Sequence, residues 1–133
     1  MERRRAWLYC RVGNGWDADA TDYLNLQKTQ LEQFCQEHGL TIAGSAIVTG
    51  NGKREIRELV QSGIERNSFD VLAVLSISRI GLDILGVAQL AETLSEHDKG
   101  FCFVKEELCT LPGLIPEYTP DPDSFYEMGG QTL

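Results

Sequence analysis

The stretch Asp70-Val71-Leu72-Ala73-Val74-Leu75-Ser76-Ile77 is apolar at six of its eight positions and shows no alternation of polar with apolar side chains. A strand with one wet face alternates, whereas a near-continuous run rich in branched residues is what a strand covered on both faces requires. Residues 70–77 are therefore expected to form a central strand of a parallel sheet, with helices on both sides.

The flanking sequence carries the same message in both directions. Residues 53–66 place Ile56, Leu59, Val60 and Gly63 on one side and Arg54, Arg57, Glu58 and Glu65 elsewhere, the pattern of an amphipathic helix. Before it, residues 40–48 read as a strand that ends in the turn Thr49-Gly50-Asn51-Gly52. Residues 22–38 read as a helix capped by Thr21 and ended by Gly39, with Leu24, Leu31, Phe34 and Cys35 on its inward stripe. Residues 6–12 are a buried strand running into Gly13-Asn14-Gly15. Downstream, residues 84–97 give a helix with Leu85, Val87, Leu90, Ala91 and Leu94 as apolar members, and Gly100 precedes a strand over residues 101–105.

Strand and helix thus alternate, which predicts an α/β fold: a three-layer αβα sandwich with a mostly parallel sheet of four or more strands. The 133 residues suit one domain of ordinary size, expected over residues 1–107. From 109 onward Pro112, Pro116, Pro120 and Pro122 interrupt regular structure, so residues 108–133 are expected to be an acidic, proline-containing tail or a surface strap, with Tyr118, Phe125 and Tyr126 as its apolar anchors.

Composition narrows the function classes. The net charge of -8 argues against a free-standing nucleic-acid binder acting by phosphate neutralisation. Its distribution softens that exclusion, because six of the acids and none of the bases follow Lys105, leaving 12 bases against 14 acids before that point. No apolar run approaches a membrane span and the basic start lacks a secretory pattern, so a soluble, cytoplasmic chain without a membrane partner is expected. Cys10, Cys35, Cys102 and Cys109 have neither metal-ligand nor redox-motif spacing and are expected to be reduced core thiols. The acids between Trp16 and Asp22 lack calcium-loop spacing, and Gly13-Asn14-Gly15 is not a dinucleotide fingerprint, so no metal and no cofactor is expected.

Ligands of open parallel sheets bind beyond the carboxyl ends of the strands. Arg11 and Arg79 leave the first and third strands there, and the helix expected near Asp22 offers free backbone N–H groups, so together they are candidates to hold a phosphate. Gln27, on the inward stripe of the first helix, needs a hydrogen-bond partner or a ligand.

Tyr9-Cys10-Arg11-Val12, then Leu24-Asn25-Leu26-Gln27 with Leu31 and Gly39, then Asp70-Val71-Leu72-Ala73-Val74 leading to Ser78-Arg79, resemble the catalytic domain of the resolvase/invertase family of serine recombinases, in order, over residues 6 to 107. The resemblance implies DNA strand exchange, in which a serine attacks a backbone phosphate and an arginine cluster stabilises the phosphoryl charge, with no metal. It assigns Arg11, Gln27 and Arg79 to family positions and leaves the helix-two arginine to either Lys53 or Arg54.

The departures are at the centre of that chemistry. Gly13 stands at the nucleophile's position, Ser78 at that of an aspartate, and Leu82 at that of a second arginine. Glycine cannot attack or hold a covalent intermediate, and losing an arginine removes transition-state charge stabilisation. No intact catalytic set is therefore expected. Phosphate-binding candidates are Arg11, Gln27, Lys53, Arg54 and Arg79. Cys10 is no substitute nucleophile, since its position in the strand puts it on the opposite face from Gly13. Nothing after residue 107 resembles a basic helix, a helix-turn-helix or a zinc module. The expected function is that of a degenerate, non-catalytic resolvase-like protein, working through assembly with itself or a related recombinase chain and binding phosphate or DNA backbone weakly. The alternative is an active recombination component whose nucleophile and DNA binding come from a partner chain.

Overall fold

The computed structural model describes residues 4–13, 18–115 and 118. Five strands form one sheet, β1 (Arg5–Val12), β2 (Thr41–Thr49), β3 (Val71–Val74), β4 (Gly100–Phe103) and β5 (Leu108–Cys109), in the order β2-β1-β3-β4-β5. Helices α1 (Ala18–Glu37), α2 (Lys53–Arg66) and α3 (Ile84–Ser95) alternate with them, and a short 3-10 turn, Ile77–Arg79, follows β3. The first four strands run parallel and β5 is antiparallel to β4.

β3 holds the middle of the sheet and all four of its residues are buried, as its unbroken apolar sequence requires. Its side chains divide between two cores. Leu72 and Val74 join Tyr9, Ile56, Val60, Phe69, Leu94, Phe101 and Phe103 under α2 and α3, whereas Val71 and Ala73 join Leu8, Cys10, Leu31, Phe34, Cys35 and Cys102 under α1. Two close approaches seat the first layer. Phe69 lies where a side chain on Gly63 of α2 would be, 2.2 Å from the position of its Cβ, and Trp7 does the same over Gly44 of β2 at 2.5 Å. Glycine lets the aromatic ring reach the backbone at both points.

Several expectations need correction. α1 begins at Ala18, so Thr21 lies inside the helix and not at its cap. β3 stops at Val74, because after Leu75 the chain turns into the 3-10 segment, held there by Glu106, whose Oε1 accepts from Ser76 Oγ (2.6 Å) and Ile77 N–H (2.9 Å). Leu85 on α3 is 64% exposed, outside the core assigned to it. Cys102 and Cys109 are not reduced thiols: they face each other across the antiparallel β4–β5 pair with Cα atoms 4.4 Å apart and form a disulfide. Cys10 and Cys35 are free and buried, and burial pushes both thiols up to about 11.

The chain beyond residue 107 continues into the body of the fold. β5 extends the sheet, Leu114 and Ile115 are buried in the α1-side core, and the Tyr118 ring stacks on Phe34 and lies against His38. Pro116, Pro120, Pro122, Phe125 and Tyr126 lie outside the described residues.

At the opposite end of the strands, Arg5 binds Asp70 through its backbone N–H (2.8 Å) and its guanidinium (3.2 Å), while buried Lys99 donates to Asn67 Oδ1 and the Phe69 carbonyl, both at 2.6 Å. Burial alone would raise the Asp70 carboxyl, but the two kinds of hydrogen bond from Arg5, with the charges of Arg5 and Lys99, hold it below its ordinary value.

Candidate functional site

The carboxyl ends of β1 and β3 open onto the residues singled out from the sequence. In β1, Arg5, Trp7, Tyr9 and Arg11 turn their backbone groups toward β3, but β3 ends opposite Tyr9, so Arg11 has no strand on that side. Gln27 takes the place of that strand. Its Oε1 accepts from Arg11 N–H at 3.2 Å and its Nε2 donates to the Arg11 carbonyl at 3.0 Å. Only 1% exposed, Gln27 satisfies both ends of its amide on one residue's backbone.

The Arg11 side chain crosses under the neighbouring loops. Nε donates to the Arg79 carbonyl at 2.7 Å, Nη1 to the Gly50 carbonyl at 2.7 Å, and Nη2 to the Ser78 carbonyl at 3.3 Å. The guanidinium thus ties the turn after β2 to the turn after β3. Glycine is needed around it: Gly52 (φ 74°) lies against Tyr9 Oη and Arg11 Cδ, and Gly81 (φ 84°) lies so near the Asn51 carbonyl that a Cβ would stand 1.9 Å from its oxygen. Tyr9 Oη is buried without a partner among the described residues, and burial, partly offset by the Arg11 charge, pushes it up to about 12.

Arg79 meets Arg11 through its carbonyl, not its side chain. Its guanidinium lies 4.6 Å over the Tyr23 ring and hydrogen-bonds the Tyr23 hydroxyl. Ser78 Oγ donates to Ser76 Oγ at 3.3 Å, and Leu82 packs on the α2–α3 side core. Lys53 and Arg54 start α2 and are exposed. Arg54 pairs with Glu55 and Glu58, each at 3.6 Å, so its charge is shared with carboxylates on its own helix. Gly13 is exposed at the end of β1, and a Cβ built on it meets nothing within 4 Å among the described residues.

Arg11, Gln27 and Arg79 are therefore brought together, but as a chain of protein-to-protein hydrogen bonds. Lys53 and Arg54 stand apart from that chain. The helix N-terminus expected near Asp22 is not there, since α1 begins at Ala18, which also takes Asp19 and Asp22 of the acidic stretch into the helix; residues 14–17 lie outside the described residues. Tyr23, Glu106 and the glycines at 50, 52 and 81 were not singled out from the sequence. Only the glycines had a signal, their place in turns, because what Tyr23 and Glu106 hold is set by tertiary proximity. Among the described residues no three His, Cys, Asp or Glu side chains cluster as metal ligands, and no helix is long and apolar enough to cross a membrane.

Residues 6–128 match the family model described as Resolvase, N terminal domain. The fold is similar to the N-terminal catalytic domain of TP901-1 integrase (TM-score 0.74, 14% identity, 97% of this chain and 93% of that one). It is also similar to a resolvase family site-specific recombinase from Streptococcus pneumoniae (TM-score 0.65, 18% identity, covering 80% and 76%). A third likeness is to the C-terminal catalytic domain of ISC1926 TnpA, an IS607-like serine recombinase (TM-score 0.63, 19% identity, covering 75% and 70%). At these identities the likeness is one of fold. None of the curated proteins matches the chain in sequence.

Proposed function

This chain belongs to the resolvase N-terminal domain family, and we propose that within it the chain is a non-catalytic member that acts through protein assembly, with at most weak contact to phosphate or DNA backbone. The observation that carries this reading is Gly13. The position matching the family's nucleophile is exposed, has room for a side chain, and has no atom able to attack phosphorus. The surroundings support it. Three of the five guanidinium N–H directions of Arg11 are engaged by backbone carbonyls, Gln27 is engaged by the Arg11 backbone, and Ser78 and Leu82 stand where an acid and a second arginine would be. Charge stabilisation of a phosphoryl transition state needs cationic donors aimed at the substrate, and here those of Arg11 and Arg79 are aimed at protein.

The test is cleavage of supercoiled DNA, with covalent protein–DNA adducts trapped by denaturation, for the wild-type chain and for Gly13→Ser. Gly13 is exposed and a Cβ there meets nothing within 4 Å among the described residues, so G13S is expected to fold with unchanged stability. Neither protein is expected to give an adduct. An adduct at any residue of the wild-type chain would overturn the non-catalytic reading. An adduct formed by G13S alone would show that the cationic cluster still works and that only the hydroxyl is missing.

A further inference from the structure

β2 is the outer strand of the sheet, and among the described residues no strand lies on its free side. Its backbone phase can be read from one hydrogen bond: Gly50 N–H donates to the Val12 carbonyl. With a period of two, Gly44, Ala46 and Val48 also turn their backbone groups toward β1, and Ser45, Ile47 and Thr49 turn theirs to the open edge. The register shift that opposes Ala6 to Ile42 but Trp7 to Gly44 leaves Ala43 as a bulge, so the strand is regular from 44 to 49.

Edges of this kind are ordinarily blunted by charge, proline, shortness or a bulge. Of these β2 has only the bulge at Ala43, outside the regular stretch 44–49. The strand has nine residues, and residues 40–52 contain no Asp, Glu, Lys, Arg or Pro. Ile47, one of the edge-directed residues, is 57% exposed, and Ile42 is 43% exposed.

We propose that β2 is a self-association edge, at which two copies of this chain pair β2 to β2, antiparallel, about a two-fold axis passing between their Ile47 residues. In that register each Ile47 exchanges both backbone hydrogen bonds with its counterpart, and Ser45 does so with Thr49 of the second copy. All the edge-directed groups from 45 to 49 are thereby paired. On the α1 side, Ile47 packs on Ile47 and the Ser45 and Thr49 hydroxyls come opposite each other; on the other side Ala46 faces Val48. Each of these is a favourable cross-strand pair.

Charge selects a second copy as the occupant. Six of the acids follow Lys105, so the body that bears β2 is close to neutral, with 12 bases against 14 acids, and a self-contact cannot use one sign of charge to advantage. A neutral row of thirteen residues that reads compatibly against itself meets that constraint. A foreign partner recognised electrostatically would find nothing here to bind. This proposal names the partner for the assembly half of the function above and rests on that half alone, so the DNA cleavage result and the result below fail separately.

The test is sedimentation of the full chain over a concentration series, wild type against Ile47→Lys, with Leu85→Lys on α3 as an equally exposed control. The wild type and L85K are expected to dimerise alike. I47K opposes two like charges at the axis and should weaken the dimer about tenfold or more while leaving the fold, read by circular dichroism, unchanged. Ile47→Cys and Ser45→Cys read the register, since the native free cysteines are buried: under mild oxidation I47C should form a covalent dimer much faster than S45C. A wild type that stays monomeric throughout, a dimer indifferent to I47K, or S45C cross-linking as fast as I47C would overturn the proposal.

Discussion

Replacing Gln27 by leucine tests whether that residue is there for the fold or for a ligand. The substitution keeps the side chain's size and helix propensity and removes both hydrogen bonds to Arg11, leaving one backbone N–H and one carbonyl without partners. Each such group costs about 1–3 kcal/mol when buried. Since Arg11 is itself only half-buried, the lower part of the range applies, and Q27L should lose about 2–4 kcal/mol. That is a large share of the ~7–20 kcal/mol that a chain of this size can be expected to have. At ~4 °C per kcal/mol it lowers Tm by about 8–16 °C. Gln33→Leu on the exposed face of α1, which removes only a 3.2 Å contact to Glu37, should stay within about 0.5 kcal/mol of wild type. The assay is urea unfolding of the three proteins, with the slope m required to be equal so that the midpoints compare stability. A residue kept for a ligand is neutral or stabilising to replace in the ligand's absence. A loss below about 1 kcal/mol in Q27L, or a loss in Q33L as large as that in Q27L, would refute the view that Gln27 completes the sheet.

Two further outcomes follow from the geometry. Gly81→Ala combines a left-handed backbone with a Cβ 1.9 Å from the Asn51 oxygen, so the loop bearing Arg79 must move off the turn before α2; a loss of at least ~3 kcal/mol is expected in thermal unfolding, and a near-neutral result would show that this contact is not held. Asp70→Asn removes a carboxyl whose folded value lies below its ordinary 3.8, so its stabilisation is present above that value and disappears as pH falls through the lower folded one. Because Arg5 and Asp70 are partly exposed, the gap between wild type and D70N should be about 1 kcal/mol at pH 7 and close as the pH falls below the carboxyl's ordinary value, and a gap that widens on acidification would contradict the pairing.

Those parts of the fold governed by local periodicity were legible from the residues. The bounds of α2 agree to the residue, and the unbroken apolar run of β3 placed it in the middle of the sheet. What escaped depends on contacts between distant segments. The two-residue β5 is too short for any period, and it exists because Cys109 and Leu108 find partners on β4. The disulfide follows from that pairing and not from Cys spacing. In the site, the residues at 11, 27 and 79 are linked by hydrogen bonds, but the sequence does not say whether an arginine faces solvent or three carbonyls. That depends on where the turns after β2 and β3 end up. The inward glutamine was recognisable as needing a partner; that its partner is a single residue's backbone depends on β3 ending three positions before β1 does.

Among the described residues, sulfur is confined to one of the two cores. Cys10, Cys35 and the Cys102–Cys109 pair all belong to the core beneath α1, while Trp7 packs only in the core beneath α2 and α3. The free thiols lie on either side of the α1 contact, one on the sheet and one on the helix, and both are shielded. Their alkylation rate thus times how often α1 lifts away, an opening of the face of the sheet on which Trp7 does not pack.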